Sequence, residues 1–552
     1  MKRLVVSSLA LALSLSLGVG GPAAAQSAAS VVDPAAEARI RADVAFLADD
    51  AVEGRGTGQR GYELAALYVR TRMEAMGMVP GGPGGSWLQP VAVTTTRIAD
   101  AGATATFTPR RGQPVVWTHG RDLAVTPGRD AGHVVQSAQL VFAGYGLDAP
   151  ELGMDDYRGL DVRGKIVVVL SGTPTGMTGE NAAFLGDSKR RMASARGAVG
   201  FITIAKSDAA MTAFSNGVTM AARQASRSWA APGAAPYDEA EGLVVGGVLT
   251  GPAADALFAG ARRSYAQLRA EAAAPGARPR GFRLNGTVAF DVHTVREDIQ
   301  SANVVGLIPG ADPAVRDEVV LLTAHLDHLG LAEQGEDRVN NGALDNAGGV
   351  SIMLEAARSL MAARPRRSVM VVALTAEEMG LLGSEYLAQN PVVGAARVVA
   401  NVNLDMPILT YAFTDLVAFG SDHSTLGPLV DAAARADGLT LSPDPMPAQG
   451  VFTRSDHYSF VKAGVPSVML ATGYANGGEA AWGQFFQSGY HRPADDMSMP
   501  FHWDAAVRFA RVNAAIARGI ANAPERPRWY AGDVFGAQFA RNAPKAPRPS
   551  TE

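Results

Sequence analysis

Hydrophobic and polar residues follow two different periods along the chain, and each period predicts its own type of element. Residues 34–77 carry apolar positions at helical spacing in two blocks, which predicts two helices joined by the Gly-rich turn at 53–58. From about residue 132 to 275, short apolar runs separated by Gly and Asp predict strands, with a helix over 188–195. The chain therefore changes its organisation after the first hundred residues.

A third pattern, from residue 303 to 523, alternates an apolar strand, a Gly-containing turn and an amphipathic helix. This order predicts an α/β fold in which a mostly parallel sheet is flanked by helices. In such sheets functional residues gather at the carboxyl ends of the strands. The clearest elements are strands at 319–324, 368–376, 397–406 and 467–471, and a helix at 349–362.

The N-terminus has the three-part pattern of a secretory signal. Met1-Lys2-Arg3 is basic, the run from Leu4 to Val19 is apolar, and Ala23-Ala24-Ala25 precedes Gln26. An uncleaved transmembrane anchor is the alternative, but the apolar run is short for a bilayer span. The sequence therefore predicts cleavage near Gln26 and a periplasmic or secreted protein of bacterial type.

Pattern and composition together predict five segments in the 552 residues. The Pro- and Ala-rich piece at 272–279 favours a linker, and the polar, Pro-containing C-terminus predicts a loosely packed extension. The segments are a signal peptide (1–25), the N-terminal part of the main domain (26–131), an insert (132–275), the rest of the main domain (276–525) and a tail (526–552).

Charge and cysteine content reduce the number of possible partners and metal ligands. With 47% hydrophobic residues, 18% charged residues and a net charge of −4, the chain has the composition of a soluble globular protein. Nothing in it recruits nucleic acid, and no stable membrane association is expected once the signal is removed. The chain has no cysteine, so any metal must be held by His, Asp and Glu.

Polar residues that bind metals follow several of the predicted strands. A lone Asp at a strand end is usually a turn former, but this set combines two imidazoles with three carboxylates, as zinc prefers and cobalt or manganese tolerate. Three carboxylates and one hydroxide balance the charge of two divalent ions, whereas one ion would leave buried negative charge. The candidate ligands are His325, Asp345, Glu378, Asp405 and His491.

These stretches resemble the co-catalytic dizinc aminopeptidase family, which includes bacterial leucyl aminopeptidases and, more distantly, glutamate carboxypeptidase II. Their order and rough spacing agree with the family as well as their residues. The likeness covers nearly all of the chain between the signal and the tail. The matching segments are Ala324–Gly330, Leu344–Gly349, Ala376–Ser384, Asn403–Met406 and Tyr490-His491.

The resemblance extends beyond the candidate ligands. Phe142–Gly146 and Asp155–Tyr157 make the range 132–275 similar to the protease-associated insert of several such enzymes. The N-terminal block at Leu47–Asp50 and Glu53–Arg55 also resembles that subgroup. The implied architecture is a zinc-exopeptidase α/β sheet with a β-rich inserted domain.

The resemblance also implies a role for each ligand. Asp345 would bridge two zinc ions, with His325 and Asp405 on one ion and Glu378 and His491 on the other.

Two neighbours of His325 are interpreted in the same way. Asp327 would accept a hydrogen bond that fixes the His325 imidazole. His328 has no assigned role and is interpreted as structural.

The predicted reaction is removal of residues from the free amino end of peptides. Glu377 would act as general base if the strand before it breaks into a turn near Gly380, because adjacent residues of a regular strand face opposite ways. Tyr490 would donate a hydrogen bond to the oxyanion, and Arg454 would lie near the substrate. Apolar walls of a substrate pocket could come from Met406, Phe452, Tyr458 and Phe485.

Three other functions remain open at this point. A carboxypeptidase or dipeptidase could use the same two metals, since loops decide which end of the peptide is bound. A non-catalytic, receptor-like relative could keep the fold for binding alone, although Glu377 and the full ligand set argue against it. A glutaminyl cyclase would use one metal, which the charge count disfavours.

Overall fold

The computed structural model describes residues 33–129, 131–221, 225–394 and 397–549. The predicted signal peptide, residues 1–25, lies outside these ranges. Within them, no helix combines the length and the apolar character needed to cross a membrane.

The N-terminal region forms the two predicted helices and then strands. Asp33 caps the first helix, because its side chain accepts a hydrogen bond from the Ala35 amide at 3.0 Å. The elements are α1 (Pro34–Leu47), α2 (Arg60–Ala75), β1 (Val79–Pro80), β2 (Leu88–Pro109), β3 (Val115–Thr118) and β4 (Leu123–Val125).

The range interpreted as an insert contains strands and helices in alternation. The predicted strands include those at 166–170 and 200–204, and the helix predicted at 188–195 is present at 189–195. Strand β4 lies before residue 132, yet it pairs with β11, so this part of the sheet begins earlier than predicted. The elements are β5 (Gly132–Phe142), β6 (Asp148–Ala149), β7 (Met154–Asp155), β8 (Ile166–Leu170), α3 (Gly179–Asp187), α4 (Lys189–Ala195), β9 (Gly200–Ile204), α5 (Asp208–Ala221), β10 (Ser226–Ala230), β11 (Val245–Leu249), α6 (Gly251–Phe258) and α7 (Tyr265–Ala272).

The remaining region contains the four predicted strands and the helix at 349–362. It opens on a strand of 27 residues, which is not among those predicted from the hydrophobic pattern. The elements are β12 (Phe282–Ile308), β13 (Val319–His325), α8 (Gly349–Ala362), β14 (Ser368–Leu374), α9 (Leu382–Gln389), β15 (Val398–Leu404), β16 (Asp415–Phe419), α10 (Gly427–Ala436), β17 (Thr440–Leu441), α11 (His457–Lys462), β18 (Ser467–Thr472), α12 (Gly478–Gln484), α13 (Trp503–Asn522) and α14 (Val534–Phe539).

One twisted sheet runs through the molecule. Its main path follows the order β17-β16-β18-β15-β13-β14-β12-β5-β8-β9-β11-β4. Strands β18, β15, β13 and β14 are mutually parallel, as are β5, β8, β9 and β11. The long strand β12 joins the two parallel groups by pairing antiparallel with β14 at one end and β5 at the other. The predicted mostly parallel α/β sheet is confirmed.

The central strands are buried on both faces. Every residue of β13 is buried, and alternate residues belong to different core clusters. Val320 and Leu322 pack in the cluster that contains α8 and α13, whereas Leu321 packs on the other face with Leu387 of α9 and Phe460 of α11. Continuous apolar runs are typical of parallel strands covered on both sides.

The C-terminal tail is packed against the main domain, so the prediction of a loose extension is wrong. Trp529 and Phe535 are buried, and the Trp529 indole donates to the Gly464 carbonyl at 2.8 Å. Helix α14 is capped by Asp533, whose side chain accepts bonds from two amides of its first turn. The buried Trp529 and Phe535, which lie among polar and Pro residues in the sequence, pack this segment against the main domain.

His423 links three parts of the chain. Its Nδ1 lies 2.6 Å from Asp533 of the tail, and its Nε2 lies 2.5 Å from Glu180 of α3. The Phe535 ring packs edge-on against the imidazole, with centroids 4.5 Å apart. Desolvation lowers the pKa of His423, but the bonds to Asp533 and Glu180 outweigh it and raise the pKa to about 9. A protonated imidazole therefore ties the insert range and the tail to the main domain.

We expect the stability of the protein to fall as the pH rises through about 9, because the folded state then loses the His423 proton. The bonds of the protonated imidazole contribute about 3 kcal/mol at most to the free energy of unfolding. This contribution is fully present below the unfolded pKa of about 6.5. Urea unfolding of the wild type and His423→Gln between pH 6 and 10 measures this, with exposed His502→Ala as the control. Parallel pH profiles for wild type and His423→Gln would contradict it.

Candidate metal centre

The carboxyl ends of three neighbouring strands meet at the centre of the parallel sheet. His325 ends β13, Asp405 follows β15, and Glu377 and Glu378 follow β14. Because β13 pairs in parallel with both β14 and β15, all these side chains emerge at one edge. The sequence-predicted residues are therefore brought together by sheet topology.

The first group of candidate ligands contains His325, Asp345 and Asp405. The His325 Nε2 atom lies 3.1 Å from Asp405 Oδ1 and 3.3 Å from Asp345 Oδ1. His325 and Asp345 are buried, at 1% and 3% exposure, so water does not screen the group.

The second group contains Asp345 again, with Glu378 and His491. The His491 Nε2 atom lies 3.4 Å from Asp345 Oδ2 and 3.2 Å from Glu378 Oε2. The two carboxylate oxygens of Asp345 thus face different imidazoles. This is the arrangement that a bridging carboxylate requires.

The distances within both groups fit a tetrahedral metal site. Zinc–ligand bonds of about 2.0–2.1 Å place two ligand atoms of a tetrahedron about 3.3 Å apart. The separations around Asp345 are 3.3 Å to His325 and 3.4 Å to His491. The five predicted ligands therefore fit the metal that their chemistry suggests.

His328, interpreted from the sequence as structural, lies inside this cluster. Its Nδ1 atom is 2.7 Å from Glu378 Oε1 and 4.0 Å from Asp345 Oδ2. At the shorter distance the imidazole and the carboxylate are hydrogen-bonded, although His328, Asp345 and Glu378 together also lie close enough to hold an ion. His328 therefore orients the Glu378 carboxylate, whose other oxygen faces His491.

Asp327 makes different contacts from those expected. The His325 Nδ1 atom lies 3.1 Å from the backbone oxygen of Asp327, so the main chain rather than the carboxylate orients the imidazole. The Asp327 carboxylate accepts bonds from the amides of Glu377 at 3.1 Å and Glu378 at 3.4 Å. The Thr57 hydroxyl donates to it at 2.9 Å. Asp327 therefore holds the Glu377-Glu378 turn.

The turn that the two adjacent glutamates need is present. Strand β14 ends at Leu374, and Ala376 has a positive φ of 54°. The Glu377 carbonyl accepts bonds from the amides of Gly380 at 2.8 Å and Leu381 at 2.9 Å. Gly380 takes a φ of 108°, which favours glycine. Both carboxylates can thus face one site.

Glu377 lines a pocket beside the first ligand group, and its carboxylate belongs to neither group. Burial raises its pKa well above the usual range, and the neighbouring Asp405 and Asp456 carboxylates raise the pKa further.

The rest of the pocket is largely apolar. Met406 lines it as predicted, whereas Phe452, Tyr458 and Phe485 do not, and each of these three is only 1% exposed. Tyr458 instead lines an adjoining cavity that also contains Glu378 and His491. The apolar lining residues are Met406, Val451, Met469, Ala471, Trp482, Phe486 and Tyr490.

Tyr490 and Arg454 lie at the mouth of this pocket. The Tyr490 ring stacks on the His491 imidazole with centroids 3.8 Å apart. Arg454 Nη2 donates to the Tyr490 hydroxyl oxygen at 3.2 Å. The hydroxyl proton is therefore free to be donated elsewhere.

Two buried polar residues position the ligand loops and were missed from the sequence. The Asp495 carboxylate accepts bonds from the amides of Leu344 at 2.8 Å and Asp345 at 3.0 Å. The Asn346 side chain donates to the Leu404 carbonyl at 3.1 Å and accepts from the Met406 amide at 3.1 Å. The loop of the shared ligand is thus fastened on both sides.

Arg55, from the N-terminal block, is a fully buried cation behind the cluster. Its guanidinium donates to the carbonyls of Leu326 at 2.9 Å, Asn341 at 2.5 Å and Gly342 at 3.0 Å, and also to that of Leu47. Burial lowers its pKa to about 10, while nearby carboxylates, Asp495 foremost, oppose the shift. Arg55 therefore stays charged at neutral pH and clamps the chain before Asp327 and before Asp345.

Without a metal, imidazolium groups balance the carboxylates of the cluster. Desolvation lowers the pKa of His491, but bonds to Asp345 and Glu378 outweigh it and raise the pKa to about 10. Burial alone would raise the pKa of Asp345, but bonds from His325 and His491 hold it well below its usual range. Cations are thus stabilised here, and a bound metal would displace protons.

The fold and the paired histidine and carboxylate groups define a metallopeptidase-type α/β domain. Residues 303–517 match the model of peptidase family M28. The resemblance inferred from the motifs is confirmed, and zinc is the metal that the family implies.

Several known proteins are similar to parts of the chain. Over 173 residues it is 32% identical to the mouse (Mus musculus) aminopeptidase NAALADL1, a match that covers 30% of this chain and 21% of that protein. Over 233 residues it is 29% identical to a probable leucine aminopeptidase 2 of Aspergillus oryzae, covering 39% of this chain and 44% of the relative. The chain thus matches less than half of each relative's length.

Among solved structures, an aminopeptidase from Aneurinibacillus sp. strain AM-1 matches 89% of this chain and 95% of its own, with 20% identity and a TM-score of 0.47.

Proposed function

We propose that the chain is an exported aminopeptidase that binds two zinc ions and hydrolyses the first peptide bond of peptides with a free amino terminus. The observation that carries the proposal is the shared Asp345, whose two oxygens lie 3.3 Å and 3.4 Å from the imidazoles of His325 and His491. The match of residues 303–517 to peptidase family M28 supports a peptide substrate. The basic, apolar and small-residue pattern of residues 1–25 supports export.

The ligand roles follow from the same contacts. Asp345 would be shared by the two ions, with His325 and Asp405 as the other ligands of the first and Glu378 and His491 as the other ligands of the second. When bound, the ions would lower the pKa of a water and polarise the scissile carbonyl. His328 keeps one Glu378 oxygen turned towards His491 through its 2.7 Å bond to the other oxygen.

Glu377 is the group best suited to move the proton. It lines the pocket with His325, Asp345 and Asp405 and is not needed as a ligand. Glu377 accepts a proton from the attacking water and delivers it to the departing amine. Asp327 positions it by accepting the hydrogen bond of its amide.

Tyr490 stabilises charge on the substrate oxygen. Its hydroxyl accepts a hydrogen bond from Arg454, so its own proton can be donated to the developing oxyanion. Arg454 thereby acts at the substrate's edge through Tyr490 and lines the same pocket.

The apolar pocket beside Glu377 supports a preference for apolar N-terminal side chains. Met406, Met469, Trp482 and Phe486 offer a surface that gains from burying a leucine or phenylalanine side chain. The free amino group of the substrate would contact Glu377 and its neighbouring carboxylates. This contact would place the first peptide bond at the metal site.

Hydrolysis of amino-acid anilides tests the proposal. We expect cleavage of free leucine and phenylalanine anilides, slower cleavage of aspartate and lysine anilides, and no cleavage of N-acetylated ones. Chelation should abolish activity and added zinc should restore it, with about two catalytic zinc ions per chain. Equal cleavage of free and N-acetylated substrates would contradict the aminopeptidase register.

Further substrates, tested with the metal content of the same samples, separate the other functions. Cleavage of amino-blocked peptides with a free carboxyl end would indicate a carboxypeptidase. Metal binding without cleavage would favour a receptor-like protein, and cyclisation of N-terminal glutamine with one ion would indicate a cyclase.

A further inference from the structure

Two histidines and one aspartate converge on the paired strands β5 and β12, apart from the candidate metal centre. His133 of β5 lies directly opposite His293 of β12 in the antiparallel ladder. Asp291 is two residues before His293 on the same strand, so its side chain projects from the same face. The backbone register alone therefore assembles the cluster.

The side chains meet at one carboxylate oxygen. The Nε2 atoms of His133 and His293 lie 2.8 Å and 3.5 Å from Asp291 Oδ1. The two imidazoles are stacked, with centroids 4.1 Å apart and planes within 3° of each other. Two imidazole nitrogens and a carboxylate oxygen thus lie within reach of a single ion.

His293 lies where the pairing of β12 with β2 is interrupted. The pairing of β12 with β2 shifts register between Val292 and Thr294, which leaves His293 outside that ladder while it pairs with His133. The extra residues of this irregularity lie on β2, so His293 keeps its regular place opposite His133.

We propose that His133, Asp291 and His293 form a separate surface site for a divalent ion of the zinc type. Two imidazoles and one carboxylate are ligands that zinc, copper and nickel accept, and three protein ligands leave positions open for water. The ion carries two positive charges against one carboxylate, so the loaded site also attracts an anionic ligand.

Binding requires only side-chain movement. Each imidazole must turn until its lone pair points at the ion, because two stacked rings cannot both do so. The side chains of His133 and His293 are 50% and 40% exposed, so they have room to turn. The site uses none of the candidate ligands at the ends of β13, β14 and β15, so it loads independently of them.

Counting zinc in variants tests the proposal. The full chain is dialysed against buffered Zn²⁺, and zinc per chain is measured for wild type, His133→Ala, Asp291→Asn and His293→Ala. The matched control is His502→Ala, which removes an exposed histidine outside the cluster. We expect each cluster variant to bind one ion fewer than wild type, the control to equal wild type, and peptidase activity to be unchanged throughout.

Zinc-edge anomalous diffraction of the wild type provides a second measurement, with a peak expected among the three side chains. The isosteric Asp291→Asn variant guards against loss of ions through misfolding. Equal zinc counts in all five proteins, with no peak at this position, would overturn the proposal. The result is a difference in ion number, so it stands whether or not the anilides are cleaved.

Discussion

Glu377→Gln is expected to lower kcat by about 10²–10⁴-fold while leaving the zinc content unchanged. The substitution keeps the size and the backbone hydrogen bond to Asp327 but removes the group that accepts a proton. Glu377 belongs to neither ligand group, so the metal should remain. Steady-state rates with leucine anilide and zinc analysis of the same sample give both values.

The matched control for this prediction is Glu336→Gln, which changes an exposed glutamate. It should leave both rate and zinc content as in the wild type. A Glu377→Gln protein that keeps full activity would remove this residue from the mechanism. Loss of zinc along with activity would instead make Glu377 a ligand.

Arg55→Met is expected to destabilise the protein by about 3–5 kcal/mol, because four buried carbonyls lose their donor. Zinc should also bind more weakly, since two of these carbonyls precede the shared ligand Asp345. Urea unfolding of the zinc-free proteins measures the stability, and competition with a chelator measures the affinity.

Arg70→Met provides the comparison, because Arg70 is an exposed arginine on α2. We expect it to change stability by no more than about 0.5 kcal/mol and to leave zinc affinity unchanged. Similar losses for Arg55→Met and Arg70→Met would mean that Arg55 does not clamp the ligand loops.

The part of the candidate site that follows predicted strands could be recognised from the sequence, because the end of an apolar run marks the end of a strand. His325, Glu378 and Asp405 each follow an apolar run, and the carboxyl ends of parallel strands share an edge. The hydrophobic pattern also gave the two N-terminal helices and the central strands. The local sequence pattern was sufficient wherever a buried apolar strand is followed directly by a candidate ligand.

Contacts between distant segments left no such pattern. Arg55 binds backbone carbonyls, which every residue possesses, so its partners have no side-chain signature. Asp495 and His328 bind the candidate ligands Asp345 and Glu378, which are 150 and 50 residues away in the chain. Asp327 lies beside the candidate ligands, yet which of its atoms faces His325 depends on a turn that only the three-dimensional structure defines.

The long strand β12 prevents the range 132–275 from being removed as an independent unit. Its 27 residues form one continuous strand, which is hydrogen-bonded to β5 at one end and to β14 at the other. Excising residues 132–275 would strip β12 of its β5 partner and expose a row of unpaired amides and carbonyls, which is a template for aggregation. We therefore expect that the peptidase half cannot be expressed in soluble form once this range is deleted, although it holds every proposed zinc ligand of the catalytic centre.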